Sequence, residues 1–389
     1  ARWLRRAPPA NSYAADFLGS IYFLQSNLDA ALKFWNRAGK PHLAHIDTPP
    51  LRLRADVLHR AFTFSSGQPL LLPDLLATRA RLDSLGLLSS HRFQLAARSG
   101  GHFDLGLLAR ERPGWTGPKA EAAIATLRGI AWQALHPEAF ALGGRAINFS
   151  SLLRWDSQKR RAQASLSSPR FTLGADLRDE RWQLRPVSST LASFQLRRSA
   201  LSAEYHAVRG PHWRWASGAE LSHRRLRNAA PEFAFPDGYA LKHTLRLRRT
   251  LLHRPEHRLE SHLHLSADTG RVWDSPSRAF HRSQFAASAR WFPRMKGEGD
   301  VLHTGIRAGH ILGHAPFDEI FSLGLERDND LWMRAHVGTR DGRKGSAPIG
   351  RSYVLFHSEF DKSIHNDGIL SLSLSPFLDL GRIDRKSVV

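Results

Sequence analysis

The sequence predicts a mainly β protein in which a transmembrane antiparallel β-barrel follows a small α+β domain and an α-helical repeat. Three observations lead to this expectation. From about residue 145 onward, apolar and polar side chains alternate with a period of two, whereas residues 1–41 show helical spacing and the stretch between them mixes both patterns. Because strands and helices repeat with different periods, the chain divides into regions of different fold.

The composition limits the chemistry that the protein can perform. The chain has 389 residues, no cysteine, and 56 Lys and Arg against 35 Asp and Glu, which gives a formal net charge of +21 at pH 7. The absence of cysteine excludes disulfides, thiolate metal sites and thiol catalysis. The arginines are scattered along the whole chain instead of forming one cluster, which argues against direct nucleic-acid binding. No run approaches the roughly 18 apolar residues of a membrane helix.

Residues 1–41 contain two helical blocks that are separated near Gln25–Asn27. The small and aromatic residues of Ala15–Tyr22, followed by Ala31 and Trp35, resemble a tetratricopeptide repeat. One such repeat cannot bury its own apolar face, so it needs neighbouring repeats or a surface of the following domain. An ordinary helical hairpin is the alternative.

Residues 42–114 predict the order strand, helix, helix, strand, strand. Ser99-Gly100-Gly101 provides the turn between the last two strands. This order, with Ser66-Gly67-Gln68-Pro69 before the second helix and Glu111-Arg112-Pro113-Gly114 after the last strand, resembles a POTRA domain. Residues 115–144 follow as a helical connector to which the sequence assigns no role.

Residues 145–383 contain about thirteen segments that alternate apolar with Arg-, His- and Glu-rich positions. Aromatic residues such as Trp155, Trp213 and Trp291 stand near segment ends, as they do in the interfacial girdles of membrane barrels. A soluble β-sandwich also alternates, but its strands are usually shorter and its polar faces less charged. The pattern therefore favours a barrel with a polar lumen, in which much of the positive charge lines the interior.

Motifs near the end resemble the superfamily of BamA- and TamA-type outer-membrane assembly and secretion barrels, also called the bacterial surface antigen family. They are PFDEIFSLG (316–324), GRKGSAPIG (342–350), SYVLFHSEFDKSI (352–364) and LSPFLDLGRI (374–383). The resemblance implies that a long loop folds back into the lumen. It also implies that the chain covers about 13 of the family's 16 strands.

The resemblance further implies a lock between this loop and the barrel wall. The residues that match the family's positions are Arg343, Gly345, Glu359, Phe377, Asp379 and Gly381. An arginine of the loop would reach across the lumen to Asp379. Because the loop reads Arg343-Lys344-Gly345-Ser346 and lacks the family's Arg-Gly-aromatic sequence, Arg340 is an alternative to Arg343. In the other interpretation, Arg343 is solvated and Asp379 merely lies at the end of a strand.

The function implied by the resemblance is insertion or translocation of other proteins at the cell outer membrane, without catalysis and without cofactor or metal. Partners would be outer-membrane or secreted client proteins, the lipid bilayer and periplasmic accessory proteins, with the N-terminal domains in the periplasm and no nucleic acid bound. Client strands would pair with the POTRA edge and with a weak seam between the first and last barrel strands. The alternatives are a two-partner secretion exporter, an outer-membrane hydrolase barrel and a basic soluble nucleic-acid-binding protein.

Both ends of the sequence suggest a fragment. It begins with Ala1 instead of Met, and residues 384–389 correspond to the translation of a common sequencing adapter. The family continues for about three more strands after the motif at Asp379. We therefore expect an open sheet with an unpaired edge.

Overall fold

The computed structural model describes residues 11–115, 119–184, 192–229, 235–274, 276–294, 299–327, 329–366 and 371–384. The helices in these ranges are α1 (Ser12–Leu24), α2 (Leu28–Trp35), α3 (Ala55–His59), α4 (Leu72–Ser84) and α5 (Lys119–Ala131). No helix of the described segments is long and apolar enough to cross a membrane. Leu370 and residues 385–389, which carried sequence expectations, lie outside the described residues.

The strands before the large sheet are β1 (His42–Asp47), β2 (Leu88–Ala97), β3 (His102–Glu111), β4 (Ala134–Leu135) and β5 (Glu138–Ala139). The long strands that follow are β6 (Asn148–Trp155), β7 (Lys159–Ser167), β8 (Phe171–Leu184), β9 (Ala192–Arg209), β10 (Trp213–Arg227), β11 (Gly238–Arg254), β12 (Leu259–Trp273), β13 (Arg278–Trp291) and β14 (Asp300–Gly313). Four short strands come next: β15 (Phe321–Ser322), β16 (Thr339–Arg340), β17 (Arg343–Lys344) and β18 (Ile349–Gly350). The chain then forms β19 (Ser352–Asn366), β20 (Ser371–Leu374) and β21 (Phe377–Ile383).

Helices α1 and α2 form an antiparallel pair that is interrupted where the sequence predicts. The side chain of Asn27 accepts a hydrogen bond from the Ala30 amide and so caps the start of α2. A β-carbon at Gly19 would overlap the Trp35 ring, which explains the glycine at the closest approach of the two helices. Trp35 also contacts Phe103 of β3, with ring centroids 5.3 Å apart. The helix pair therefore buries its apolar face against the following domain.

The α+β domain follows the predicted order of elements. Its sheet has the order β1-β3-β2, with β1 parallel and β2 antiparallel to the central β3. Pro73 lies in the first turn of α4, and Gly86, at φ +71°, follows the end of that helix. Leucines from α4, β3 and the adjoining loops are fully buried and share one core with α1 and α2.

The large sheet is antiparallel and joins neighbours in chain order from β6 to β14, then β19, then β20 and β21. These segments make eleven long strands in the described part of the chain, if β20 and β21 are taken as one strand interrupted at Ser375-Pro376. The expected count of about thirteen is therefore wrong. One reason is that the alternating stretch 331–337 lies in a long loop and not in a strand.

The sheet is open, as expected from the sequence. The first long strand, β6, does not pair with the last one. The free edge of β6 instead pairs with β4 and β5, which follow α5. The sequence did not predict this use of the connector.

The two faces of the sheet differ as the alternation predicts. On the outer face, large apolar side chains are exposed, among them Leu173, Leu177, Leu201, Leu221, Leu245, Phe285 and Ile306. Trp155, Trp213 and Trp291 stand at strand ends. The inner face, which we define as the face covered by residues 314–351, carries ion pairs between neighbouring strands, such as Arg161–Asp176 at 2.7 Å. Much of the net positive charge therefore lies among acidic partners on this face.

The N-terminal domains contact one end of the large sheet. Lys33 of α2 pairs with Glu256 in the β11–β12 turn at 2.7 Å, and Arg214 of β10 pairs with Asp83 of α4 at 2.7 Å. Asp29 lies between Arg79 and His253. Burial alone would raise the pKa of Asp29, but these two partners outweigh burial and lower the pKa to about 2.

Candidate functional site

The candidate site is the long loop 314–351, which connects β14 to β19 and packs against the inner face of the sheet. Short strands stiffen the loop: β15 pairs with β18, and β16 pairs with β17. Lys344 of β17 also pairs with Trp182 of β8 as a parallel bridge. Three clusters of charged side chains attach this loop to the wall, and each is described in turn.

The first cluster centres on Asp318 and Glu319, in a short 3-10 turn at Phe317–Glu319. Asp318 contacts Arg224 at 2.6 Å and Arg198 at 3.0 Å, while Glu319 contacts Lys242 at 2.7 Å. Both carboxylates are almost fully buried. Burial would raise the pKa of Asp318, but Arg224 and Arg198 outweigh it and keep the carboxylate ionised. The two acids therefore link the loop to β9, β10 and β11.

The second cluster surrounds Glu180 of β8, which is buried. Lys159 of β7 lies 2.6 Å from this carboxylate, and Lys344 of the loop lies 3.3 Å from it. Lys344 also contacts Glu326 within the loop at 2.8 Å. The adjacent Gly345 has φ +105°, and a β-carbon there would stand 2.6 Å from the carbonyl oxygen of Gln183. Glycine is thus required for the close approach of loop and wall.

The third cluster joins the loop to the last two strands through Arg334. Its guanidinium donates from Nε and Nη2 to the two oxygens of Asp379, at 2.8 and 2.9 Å, and from Nη1 to Glu359 at 2.6 Å. The Arg334 amide also donates to Asp379. The guanidinium carbon lies 3.6 Å from the centroid of the Phe377 ring. This bidentate, stacked geometry fixes the direction of the arginine as well as its position.

Gly381 completes the third cluster by leaving space for the loop. A β-carbon at this position would lie 3.0 Å from Sδ of Met333, the residue before Arg334. Leu372 and Leu374 of the same strand pair are exposed on the outer face. Asp379 therefore turns toward the loop while these leucines turn away from it.

The structure corrects the sequence prediction for the loop arginine. Arg343 does not contact Asp379; it donates to the hydroxyl of Ser193 at 2.9 Å and is exposed. Arg340 is exposed as well and is the register partner of Arg343 in the β16–β17 pair. The loop reaches Asp379 with residues 331–337, which precede both candidates.

Sequence reasoning missed Arg334 because its surroundings alternate like a strand. The stretch Leu-Trp-Met-Arg-Ala-His-Val lacks the glycine that the resemblance required beside the arginine. Of the other missed residues, Asp318 and Glu319 lie inside the quoted motif PFDEIFSLG. Their adjacent carboxylates in an apolar stretch were the available signal, since buried acids require cationic partners.

The clusters contain guanidinium, ammonium and carboxylate groups that are already engaged with one another. Such an arrangement positions the loop and is not arranged for proton transfer. Histidines attracted attention in the sequence at His257, His262 and His264. His262 faces the inner side and contacts Thr250 and Glu260. Within the described ranges, no group of three or more His, Asp or Glu side chains has a geometry suited to a metal ion.

Comparison with solved structures gives the same fold. CdiB from Escherichia coli matches with a TM-score of 0.53 and 16% sequence identity, over 88% of this chain and 66% of that one. BamA from Haemophilus ducreyi lacking POTRA domains 1–3 matches with a TM-score of 0.43 and 12% identity, over 88% and 72% of the two chains. CdiB from Acinetobacter baumannii matches with a TM-score of 0.43 and 13% identity, over 89% and 65%.

The chain thus spans about two thirds of the length of the CdiB structures that it matches. No protein-family model and no curated protein sequence matches it.

Proposed function

We propose that this protein is an outer-membrane β-barrel of the assembly and secretion type, which inserts or exports other proteins without catalysis. The observation that carries the proposal is the loop held against the inner face by the bidentate pair of Arg334 and Asp379. A loop fixed inside a polar face, in an antiparallel sheet with an apolar outer face, suits a barrel whose interior must be kept in one arrangement. The fold shared with CdiB from Escherichia coli supports the same class.

In this proposal the chain divides into a tetratricopeptide-like repeat (1–41), a POTRA-like domain (42–114), a connector (115–144) and a barrel region (145–383). The N-terminal domains lie in the periplasm, beneath the sheet end that they contact through Lys33 and Asp83. Strand β2 forms one edge of the small sheet. A client strand can add to such an edge through main-chain hydrogen bonds.

The barrel region offers a second place for a client strand. Strands β20 and β21 pair with β19 on one side, and no described strand covers the other side. Unpaired backbone groups at the edge of a membrane sheet are costly, so they favour pairing with a new strand. Insertion of a client would begin by hydrogen bonding at this edge.

The test is expression of the full-length gene, followed by fractionation and gel mobility with and without heating. We expect outer-membrane localisation and heat-modifiable migration, and recovery as a soluble monomer would refute the barrel. Reconstituted protein then separates the two activities. Insertion predicts that a denatured client barrel folds into vesicles faster, whereas export predicts release of a secreted client across the bilayer.

A further inference from the structure

The outer face of strands β7–β10 changes from apolar to basic toward the end of the sheet that lies opposite the N-terminal domains. At one level, the outward side chains of successive strands are Arg160, Asp179, Arg197 and Arg225, which are register partners. The next level toward that end carries Arg181, Gln195 and Arg227. We call these five arginines, together with Asp179, the outer basic patch.

The fold does not neutralise this charge. Asp179 is the acid of the patch, and Arg197 at 3.0 Å and Gln195 at 2.5 Å already occupy its two oxygens. Arg225 stands directly opposite Arg197 on the neighbouring strand, an arrangement that destabilises a sheet. Arg160 is exposed and forms no ion pair with any described residue. An anionic ligand would relieve this repulsion.

The levels next to the patch are apolar and equally exposed. Leu177 is 57% exposed, and Leu201 and Leu221, one level further from the patch, are 64% and 50% exposed. A ligand that satisfies both surfaces must carry a negative group at one end and an apolar tail at the other. Nucleic acids and acidic peptides lack the tail.

A groove of about 470 Å³ lies where the two surfaces meet. Its lining includes Arg160, Arg197 and His223 at the polar side, and Ala162 and Ser199 in the floor. The small side chains of Ala162 and Ser199 leave space between the arginines. Guanidinium groups bind phosphate oxygens in bidentate geometry, so a phosphate group suits this space.

The patch is local and does not form a belt around the sheet. At the same end of β12 and β13, the outward residues of the described chain include Arg271, Thr269, Ala279 and His281. One arginine there compares with five on β7–β10. General attraction to a charged membrane surface does not require such clustering.

We propose that the outer basic patch binds the phosphate-bearing headgroup of an anionic lipid, whose acyl chain runs along Leu177 and Leu201. This inference rests on the proposed function, because it places the outer face in a bilayer. The end opposite the N-terminal domains assigns the lipid to the leaflet away from the periplasm.

The test compares two double variants of the full chain, purified in detergent and incubated with mixed micelles of phosphatidylglycerol and phosphatidylcholine. Arg197→Gln/Arg225→Gln removes two charges of the patch. Arg209→Gln/Arg249→Gln is the matched control, because it removes two outward arginines at the opposite end of the same sheet, where Arg249 already stacks on Trp213. Native mass spectrometry measures the retained lipid.

We expect the wild type and the control to retain phosphatidylglycerol in preference to phosphatidylcholine, and the patch variant to lose this enrichment by about tenfold. Equal loss in both variants, or full retention by the patch variant, would overturn the proposal. Excess inorganic phosphate serves as a further arm. If phosphate alone displaces the lipid, the apolar levels contribute nothing and the amphiphile assignment is wrong.

Heat-modifiable migration of the same samples separates this outcome from failure of the proposed function. A patch variant that remains heat-modifiable but loses the lipid tests the patch alone. A wild type without heat-modifiable migration refutes the barrel itself.

Discussion

Arg334→Ala should release the loop from the last two strands, and its cost can be worked out from the geometry. The substitution removes two charged hydrogen bonds to Asp379 and one to Glu359. The Asp379 side chain is 7% exposed, whereas those of Arg334 and Glu359 are 27% and 32% exposed. A fully buried broken pair costs about 3–5 kcal/mol and an exposed one less than about 1 kcal/mol. We therefore expect a loss of about 2–3 kcal/mol, between these limits.

The assay is urea unfolding of the full chain in detergent micelles, followed by tryptophan fluorescence, for Arg334→Ala, Asp379→Ala and the double variant. Because the two residues act on the same contact, the double variant should cost little more than either single one, with a coupling of about 2 kcal/mol. Arg343→Ala is the matched control, since this exposed arginine contacts the Ser193 hydroxyl and its loss should stay within about 0.5 kcal/mol.

Two results would refute this reasoning. Strict additivity of Arg334→Ala and Asp379→Ala would show that the residues do not act as a pair. A loss in Arg343→Ala as large as that in Arg334→Ala would restore the sequence-based assignment of the lock.

Three further predictions concern other contacts. Burial lowers the pKa of His91 below its ordinary 6.5 despite the nearby Asp83, so an unfolded chain binds the proton first and stability should fall as the pH drops below about 6.5; His91→Asn should flatten this slope in thermal unfolding. Glu180→Gln leaves two buried lysines without their shared carboxylate and should cost about 3–5 kcal/mol in urea unfolding, whereas a loss below about 1 kcal/mol would contradict the contact geometry. Lys33→Glu should loosen the N-terminal domains by about 0.5–1 kcal/mol, and adding Glu256→Lys should restore them, as measured by proteolysis rates.

Much of the fold was predictable because its period is written in the sequence. The alternation from residue 145 onward predicted strands with one apolar and one charged face, and helical spacing predicted α1, α2 and α4. Gln25–Asn27 and Gly86 marked element ends, because capping and left-handed backbone are local properties. The strand count failed at 331–337, where alternation reflects packing of a loop against a wall.

The candidate site was predictable only on the wall. Glu359, Phe377, Asp379 and Gly381 belong to strands whose register places them together, and all four meet at the loop. The loop partner was not predictable, because a flexible segment can present any of several arginines to the same carboxylate. Which arginine arrives depends on the other two attachment points, and these exist only in three dimensions.

The first cluster also determines what the interior becomes if the loop leaves. Asp318 and Glu319 act as fixed counter-ions for Arg198, Arg224 and Lys242, which belong to three different strands. Withdrawal of the loop would expose a ring of like charges and turn a neutral interior into one that attracts anions. Movement of the loop is thus coupled to ionic selectivity, and an acidic segment of a passing polypeptide would find the vacated sites already arranged.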